Sequence, residues 1–259
     1  MKITKIEKKK RLYLVELDDS ERLYVTEDTI VRFMLSKDRV VTEQELNTIK
    51  TFAQISYGKN LGLYYISFAS RSKKQVADYL RQHDIDEQII PTVLEELERD
   101  RWIDDLKLAQ NMVSQQLLSG DKGPFVIRQK LKQKGLETHD IESALSEADF
   151  SQSCQRVTEK LIKKYQSKLT RKALETKLRQ QLASKGFDSR DITNTLSQLS
   201  LEKNEDNEED LLYAAIDKVY ARYAKKYDGY QLNQRLTQHL ARKGFDFSAI
   251  ASALRDYED

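Results

Sequence analysis

The sequence predicts a mainly α-helical protein, built as about four elongated tandem three-helix repeats with a small N-terminal antiparallel β unit. Three observations predict this. Leu-x-x-Lys-Gly punctuation recurs at Leu131–Gly135, Leu182–Gly186 and Leu240–Gly244, with glycines 51 and 58 residues apart. Apolar residues spaced by four flank each glycine, as the buried stripe of a helix requires. Only 8 Gly and 2 Pro occur in 259 residues, which favours long helices over tight turns.

The first residues read differently from the rest. Ile3-Thr4-Lys5-Ile6 alternates, Arg11–Leu17 is rich in β-formers, Asp18-Asp19-Ser20-Glu21 is a turn, and Arg22-Leu23-Tyr24-Val25 returns. From about Glu27 the period becomes helical. The repeat copies then align position by position. Eight before the glycine stand Val76, Ile127, Leu178 and Leu236, and four before it Leu80, Leu131, Leu182 and Leu240. One after it stand Ile85, Leu136, Phe187 and Phe245, six after it Ile90, Ile141, Ile192 and Ile250, and ten after it Leu94, Leu145, Leu196 and Leu254. In the first copy Asp84 takes the glycine's place.

The physical unit is helix, stop, helix. The glycine adopts the left-handed conformation after the helix end, and the next apolar residue folds back on the helix, as in a Schellman stop. An acid follows two places on (Asp86, Glu137, Asp188, Asp246) and suits the start of the next helix. A third helix precedes each pair: Glu43–Ala69, with Gly58 and Gly62 as places where it could break, then Asp105–Leu118, Ser153–Lys168 and Glu209–Tyr227. The expected boundaries are a β-containing unit over 1–42, repeats over 43–98, 99–150 and 151–200, a mobile acidic linker over 201–208, and a fourth repeat over 209–259. Repeats of this kind contact mainly their neighbours, which predicts a curved rod with a surface for a large or polymeric partner.

Bulk properties narrow the function. With 33% charged residues and a net charge of +2, the chain suits much exposed surface and a modest core, not a compact enzyme with a deep pocket. No 18-residue apolar run and no N-terminal apolar stretch occur, so neither a membrane span nor a signal peptide is expected, and the cytoplasm is the expected location. Cys154 is the single cysteine and has no disulfide partner. His83, His139 and His239 occupy three different repeat positions, so no metal site is expected. Asp104-Asp105 reads as a helix cap rather than a metal-binding pair. Gly120-Asp121-Lys122-Gly123-Pro124 lacks the Gly-Lys-Ser/Thr of a phosphate loop and reads as a helix connector. No cofactor and no catalytic residue are expected.

Charge is segregated. Ser151–Ser200 holds 11 Lys/Arg against 4 Asp/Glu, whereas 201–210 holds one against six. The cations fall on helical faces beside the apolar stripes: Arg71 and Lys74; Arg128, Lys130, Lys132 and Lys134; Arg171, Lys172, Lys177, Arg179 and Lys185; Arg222, Lys225, Lys226, Arg235, Arg242 and Lys243. Such faces attract phosphate or acidic protein surface. They also serve as solvated faces, and Lys134, Lys185 and Lys243 complement a helix C-terminus in any case. Tyr213, Tyr220, Tyr223 and Tyr227 follow the 3/4 step and read as an inner stripe rather than a base-stacking platform.

Gly120–Gly135, read as G-x-x-G-P-x-x-I-x-x-x-L-x-x-K-G, resembles the signature of RecX regulatory proteins, as do Trp102-Ile103-Asp104-Asp105 with Leu108-Ala109. Arg71-Ser72 falls where that family often has R-P-R-S, but Ala69-Ser70 stands in place of the first Arg-Pro. The β-containing N-terminus is similar to that of longer Gram-positive members. The resemblance implies a non-enzymatic regulator that binds RecA and RecA–ssDNA filaments and modulates, in the inhibitory direction, ATP hydrolysis and strand exchange in recombination, DNA repair and the SOS response. It implies a monomer with weak contact to single- or double-stranded DNA and none to membranes. The alternative from the residues themselves is a helical-repeat protein that binds DNA without RecA, since three-helix units with a short stop can resemble helix-turn-helix modules.

Overall fold

The structure is a computed structural model, and it describes residues 1–18, 21–199 and 205–258. Alternation at the N-terminus gives three antiparallel strands, β1 (Ile3–Lys8), β2 (Tyr13–Leu17) and β3 (Glu21–Val25), in the order β1-β2-β3. Ile6 faces Val15, and Val15 faces Leu23. Helix α1 (Glu27–Arg32) starts at Thr26, whose hydroxyl accepts from Thr29 N and lies 2.7 Å from Ser56 Oγ. The inner face of the sheet (Ile3, Val15, Leu17, Val25) packs with Leu46, Ile49 and Ala53 of α2 (Glu43–Phe68).

Helix α2 runs unbroken for 26 residues, through both places where its glycines suggested an interruption. Gly58 and Gly62 sit one turn apart on a buried face. A Cβ on Gly58 would lie 3.0 Å from Val93, and one on Gly62 2.7 Å from Leu97, so the glycines admit α4 (Ile90–Arg99) close to the helix axis. The N-terminal half of α2 covers the sheet. Its C-terminal half is the first helix of repeat one, packed with α3 (Lys73–Gln82) and α4. No linker separates the β unit from the first repeat.

The remaining helices are α5 (Asp105–Ser119), α6 (Pro124–Gln133), α7 (Thr138–Ser146), α8 (Ser151–Tyr165), α9 (Arg171–Ser184), α10 (Ser189–Gln198), α11 (Glu205–Ala224), α12 (Gly229–Arg242) and α13 (Phe247–Glu258). The chain folds as two compact units, residues 1–112 with 130–146 and residues 113–129 with 147–259. Helix α11 starts inside the segment expected to be a linker. Residues 200–204 lie outside the described set. All aligned apolar positions are buried except Phe245, which lines an open groove beside Tyr213.

Every stop has the expected geometry. Gly135, Gly186 and Gly244 have φ of 84°, 89° and 94°. Leu136 N, Phe187 N and Phe245 N donate to the carbonyls of Leu131, Leu182 and Leu240 at 3.2, 3.2 and 3.4 Å. The first copy makes the same bond, Ile85 N to Leu80 O at 3.2 Å, with Asp84 at φ 58°. Left-handed backbone alone therefore does not demand glycine here.

Close approach does. Each Lys-Gly stop lies against the N-terminus of the middle helix of the preceding repeat. The Lys134 carbonyl accepts from Ser72 Oγ at 2.5 Å, the Lys185 carbonyl from Gly123 N at 2.8 Å, and the Lys243 carbonyl from Thr170 Oγ1 at 3.3 Å. Ser72, Gly123 and Thr170 directly precede α3, α6 and α9. The two hydroxyls also accept from Gln75 N and Ala173 N, so each caps its own helix while clasping the next repeat. A Cβ on Gly135 would meet the Lys74 side chain at 2.2 Å, one on Gly186 the Val126 amide at 2.6 Å, and one on Gly244 Thr170 Oγ1 at 2.7 Å. Gly123 has no positive φ, yet its Cβ would lie 2.4 Å from the Gly186 carbonyl.

Gly123→Ala and Gly186→Ala should each lower the unfolding free energy by at least about 2 kcal/mol, because backbone cannot yield as a side-chain tip can. Asp84→Gly, at an exposed position, should change stability by less than about 1 kcal/mol. Urea denaturation of the three variants checks both expectations.

Candidate partner-binding surface

The joints decide which cations remain available. In repeat one, the Arg71 guanidinium lies 4.3 Å from the Tyr65 ring, which stacks on Tyr79 at 4.2 Å, and its buried Nε makes no hydrogen bond. Arg71 is thus a stacked, half-buried group. The Lys74 stem runs beside Gly135 with the residue exposed to solvent. On α6, Lys130 and Lys132 are exposed, Arg128 and Lys134 half-buried. Lys185 is ion-paired with Asp121 and only 21% exposed. That pairing holds the Asp121 carboxyl below its ordinary range, and it ties the second joint together.

At the third joint the structure gathers four of the expected residues. Lys172 and Lys177 of α9 and Arg242 and Lys243 at the end of α12 line one open groove of about 360 Å³, together with Ala173, Thr176 and Gly244. No acid lines it. Lys177 also lies 5.9 Å from the Tyr165 ring. Arg171 and Arg179 line a different groove with Glu175 and Thr193, where Arg179 pairs with Glu175 at 3.0 Å. Arg222 lies 5.1 Å from the Tyr223 ring and Arg235 5.4 Å from the Tyr227 ring, while Lys225 and Lys226 are exposed just beyond α11. Tyr213, Tyr220, Tyr223 and Tyr227 pack on the core of the last repeat.

The acids that close the joints escaped the pattern reading. Asp105 accepts from Lys73 N, the first amide of α3, at 2.9 Å, and burial pushes its carboxyl above the ordinary value. Glu208 accepts from Arg171 N, the first amide of α9, at 2.8 Å. At α6 that position is Pro124, which has no N–H to satisfy. The residue aligned with Asp105 by the 51-residue period is Arg156, whose Nη2 instead donates to the carbonyls of Leu117 and Gly120 at 3.0 and 3.1 Å. Asp104 caps α5 through Lys107 N at 2.8 Å, as its place before the helix predicts. Ser72 and Gly123 stand 12 before their repeats' glycine positions, but Thr170 stands 16 before its own. Helix α9 has 14 residues against 10 in α3 and α6, one turn more, so the fixed offset hides the third clasp.

His239 reports on this basic region. Burial lowers its pKa, and Lys243, Arg222 and Arg242 lower it further. In an NMR pH titration its ring should titrate below the ordinary value of about 6.5. Lys243→Ala should move the midpoint up, as should an anion bound among these cations. Because its folded pKa is lowered, His239 contributes stability that is lost as the pH falls below the unfolded value of about 6.5.

Family models match the chain over three of the four expected repeats. The first, second and third three-helix domains of RecX match residues 59–97, 104–145 and 206–254. The chain is 58% identical over 257 residues to the Regulatory protein RecX of Streptococcus sanguinis strain SK36, covering 99% of this chain and all of that one. It is 55% identical over the same length to that of Streptococcus mutans serotype c. Among solved structures, a crystal structure of regulatory protein RecX matches with a TM-score of 0.61 at 29% identity, over 76% of this chain and 98% of the other. RecX from Lactobacillus salivarius matches with a TM-score of 0.55 at 31% identity, over 57% and 98%. Among the described residues no helix is long and apolar enough to cross a membrane. The three domain matches and the full-length identity place the chain, with its like-built joints, in the RecX family of regulatory proteins.

Proposed function

We propose that this chain binds RecA and RecA–ssDNA filaments as a monomer and modulates, in the inhibitory direction, ATP hydrolysis and strand exchange. The observation that carries the reading is the joint built three times on one plan, with cations beside each stop. A protein of like units joined alike offers like surfaces to a partner made of like protomers. The groove of Lys172, Lys177, Arg242 and Lys243 is its cationic contact, suited to acidic protein surface or to the phosphates of the filament's DNA. The same groove would serve a DNA-binding protein that needs no RecA, which is the second reading.

The test is ATP hydrolysis by cognate RecA on single-stranded DNA, titrated with this protein from far below one molecule per protomer. A fall in hydrolysis at substoichiometric ratio is expected. Replacing Lys172, Lys177, Arg242 and Lys243 together by Ser should raise the amount needed by about tenfold, since a cluster of contact charges governs encounter and hold. Unchanged hydrolysis up to equimolar folded protein would overturn the reading. DNA binding of equal strength with and without RecA would favour the second.

A further inference from the structure

Residues 1–58 precede the first matched three-helix domain, and they hold a surface that the filament reading leaves unused. The turn between β1 and β2 carries Lys8-Lys9-Lys10-Arg11, four consecutive cations, all exposed. Lys9 N donates to Leu12 O at 2.8 Å and closes the turn. Nearby acids offset this charge only in part: Glu7 pairs with Lys9 at 2.5 Å and with Lys5 at 2.9 Å, and Glu27 lies near Lys8.

The turn lies against the C-terminal half of α2, although more than 50 residues separate them in sequence. The Arg11 guanidinium is 5.0 Å from the Tyr64 ring, and Tyr64 meets Phe68 edge-on at 4.9 Å. Tyr64 is 45% exposed and Phe68 67%. Core packing does not require a phenylalanine so open at the last position of α2. Lys8 Nζ lies 5.4 Å from the Tyr13 ring on the other side of the turn. Cations that crowd within one Debye length repel one another unless an anion joins them. Phosphates would answer the lysines. Bases would answer the ring of Phe68 and the guanidinium plane of Arg11, which rests on Tyr64. Duplex bases are already stacked and cannot reach these faces, whereas unpaired bases can.

We propose that the β1–β2 turn and the Tyr64–Phe68 pair of α2 form a binding site for single-stranded nucleic acid, with Lys8, Lys9 and Lys10 on phosphates and Arg11 and Phe68 as stacking surfaces. The site involves no RecA, so it stands or falls independently of the filament reading.

The test uses the full chain without RecA, with a short fluorescent oligothymidylate followed by anisotropy over a range of salt. Phe68→Ser should weaken binding at least about fivefold and leave the salt slope unchanged, since stacking carries no counterion term. Lys8→Ser, Lys9→Ser and Lys10→Ser combined should weaken it about tenfold or more and reduce the salt slope by about 2. Thermal unfolding of each variant should match the parent, because every altered side chain is exposed. Wild-type affinity in both variants overturns the site. So does loss in the lysine variant with none in Phe68→Ser, which would mark a patch that holds phosphates without stacking bases. Loss confined to a variant of Lys172 and Lys243 would move nucleic-acid binding to the third joint and overturn it too.

Discussion

The architecture depends on one interaction: the carbonyl before each glycine stop accepts a hydrogen bond from the N-cap position of the preceding repeat's middle helix. A helix ends with unpaired carbonyls and begins with unpaired amides, and here the two deficits meet. The electronegative end of one helix also faces the electropositive end of another. Ser72 and Thr170 carry the bond by hydroxyl and Gly123 by its own amide, so three chemically different residues reach one geometry. The remaining amides are handled as economically. Asp105 and Glu208 cap them by carboxylate, and Pro124 removes one altogether.

This contact explains the sequence better than the left-handed turn does. Asp84 makes the same stop as the three glycines, at φ 58°, with its side chain exposed to solvent. Glycine is needed where a neighbouring backbone or side chain sits where Cβ would be. Hydroxyl, acid and proline positions follow from the same requirement, read from the opposite side of each joint.

Much of this was readable in the sequence. The twenty aligned apolar positions, the Schellman stops and the N-cap role of Asp104 follow from local periodicity and chain chemistry, and all but Phe245 took the burial expected. What could not be read were pairings between residues distant in sequence. Gly58 and Gly62 look like helix breakers in one dimension and are packing sites in three. The extra turn in α9 displaces Thr170 from the period that reveals Ser72 and Gly123. The basic face dissolved into distinct situations: Lys185 is paired, Arg71 is stacked, and Lys172, Lys177, Arg242 and Lys243 converge. Charge counts cannot separate these, because accessibility is decided by partners distant in sequence.

The repeats also differ at their extremities. Asp84 offers no stop suited to a preceding repeat, while α12 begins at Asp228 without a side-chain cap bond, and a Cβ on Gly229 would meet nothing within 4 Å. In polymer terms these are the two end groups of a directional chain, one blocked and one still reactive. A further unit of this kind would meet a residue without Cβ at the start of α12, whereas at Asp84 a Cβ stands where the other three stops carry glycine. Growth of such an array is therefore polar, with its direction written into a single Cβ.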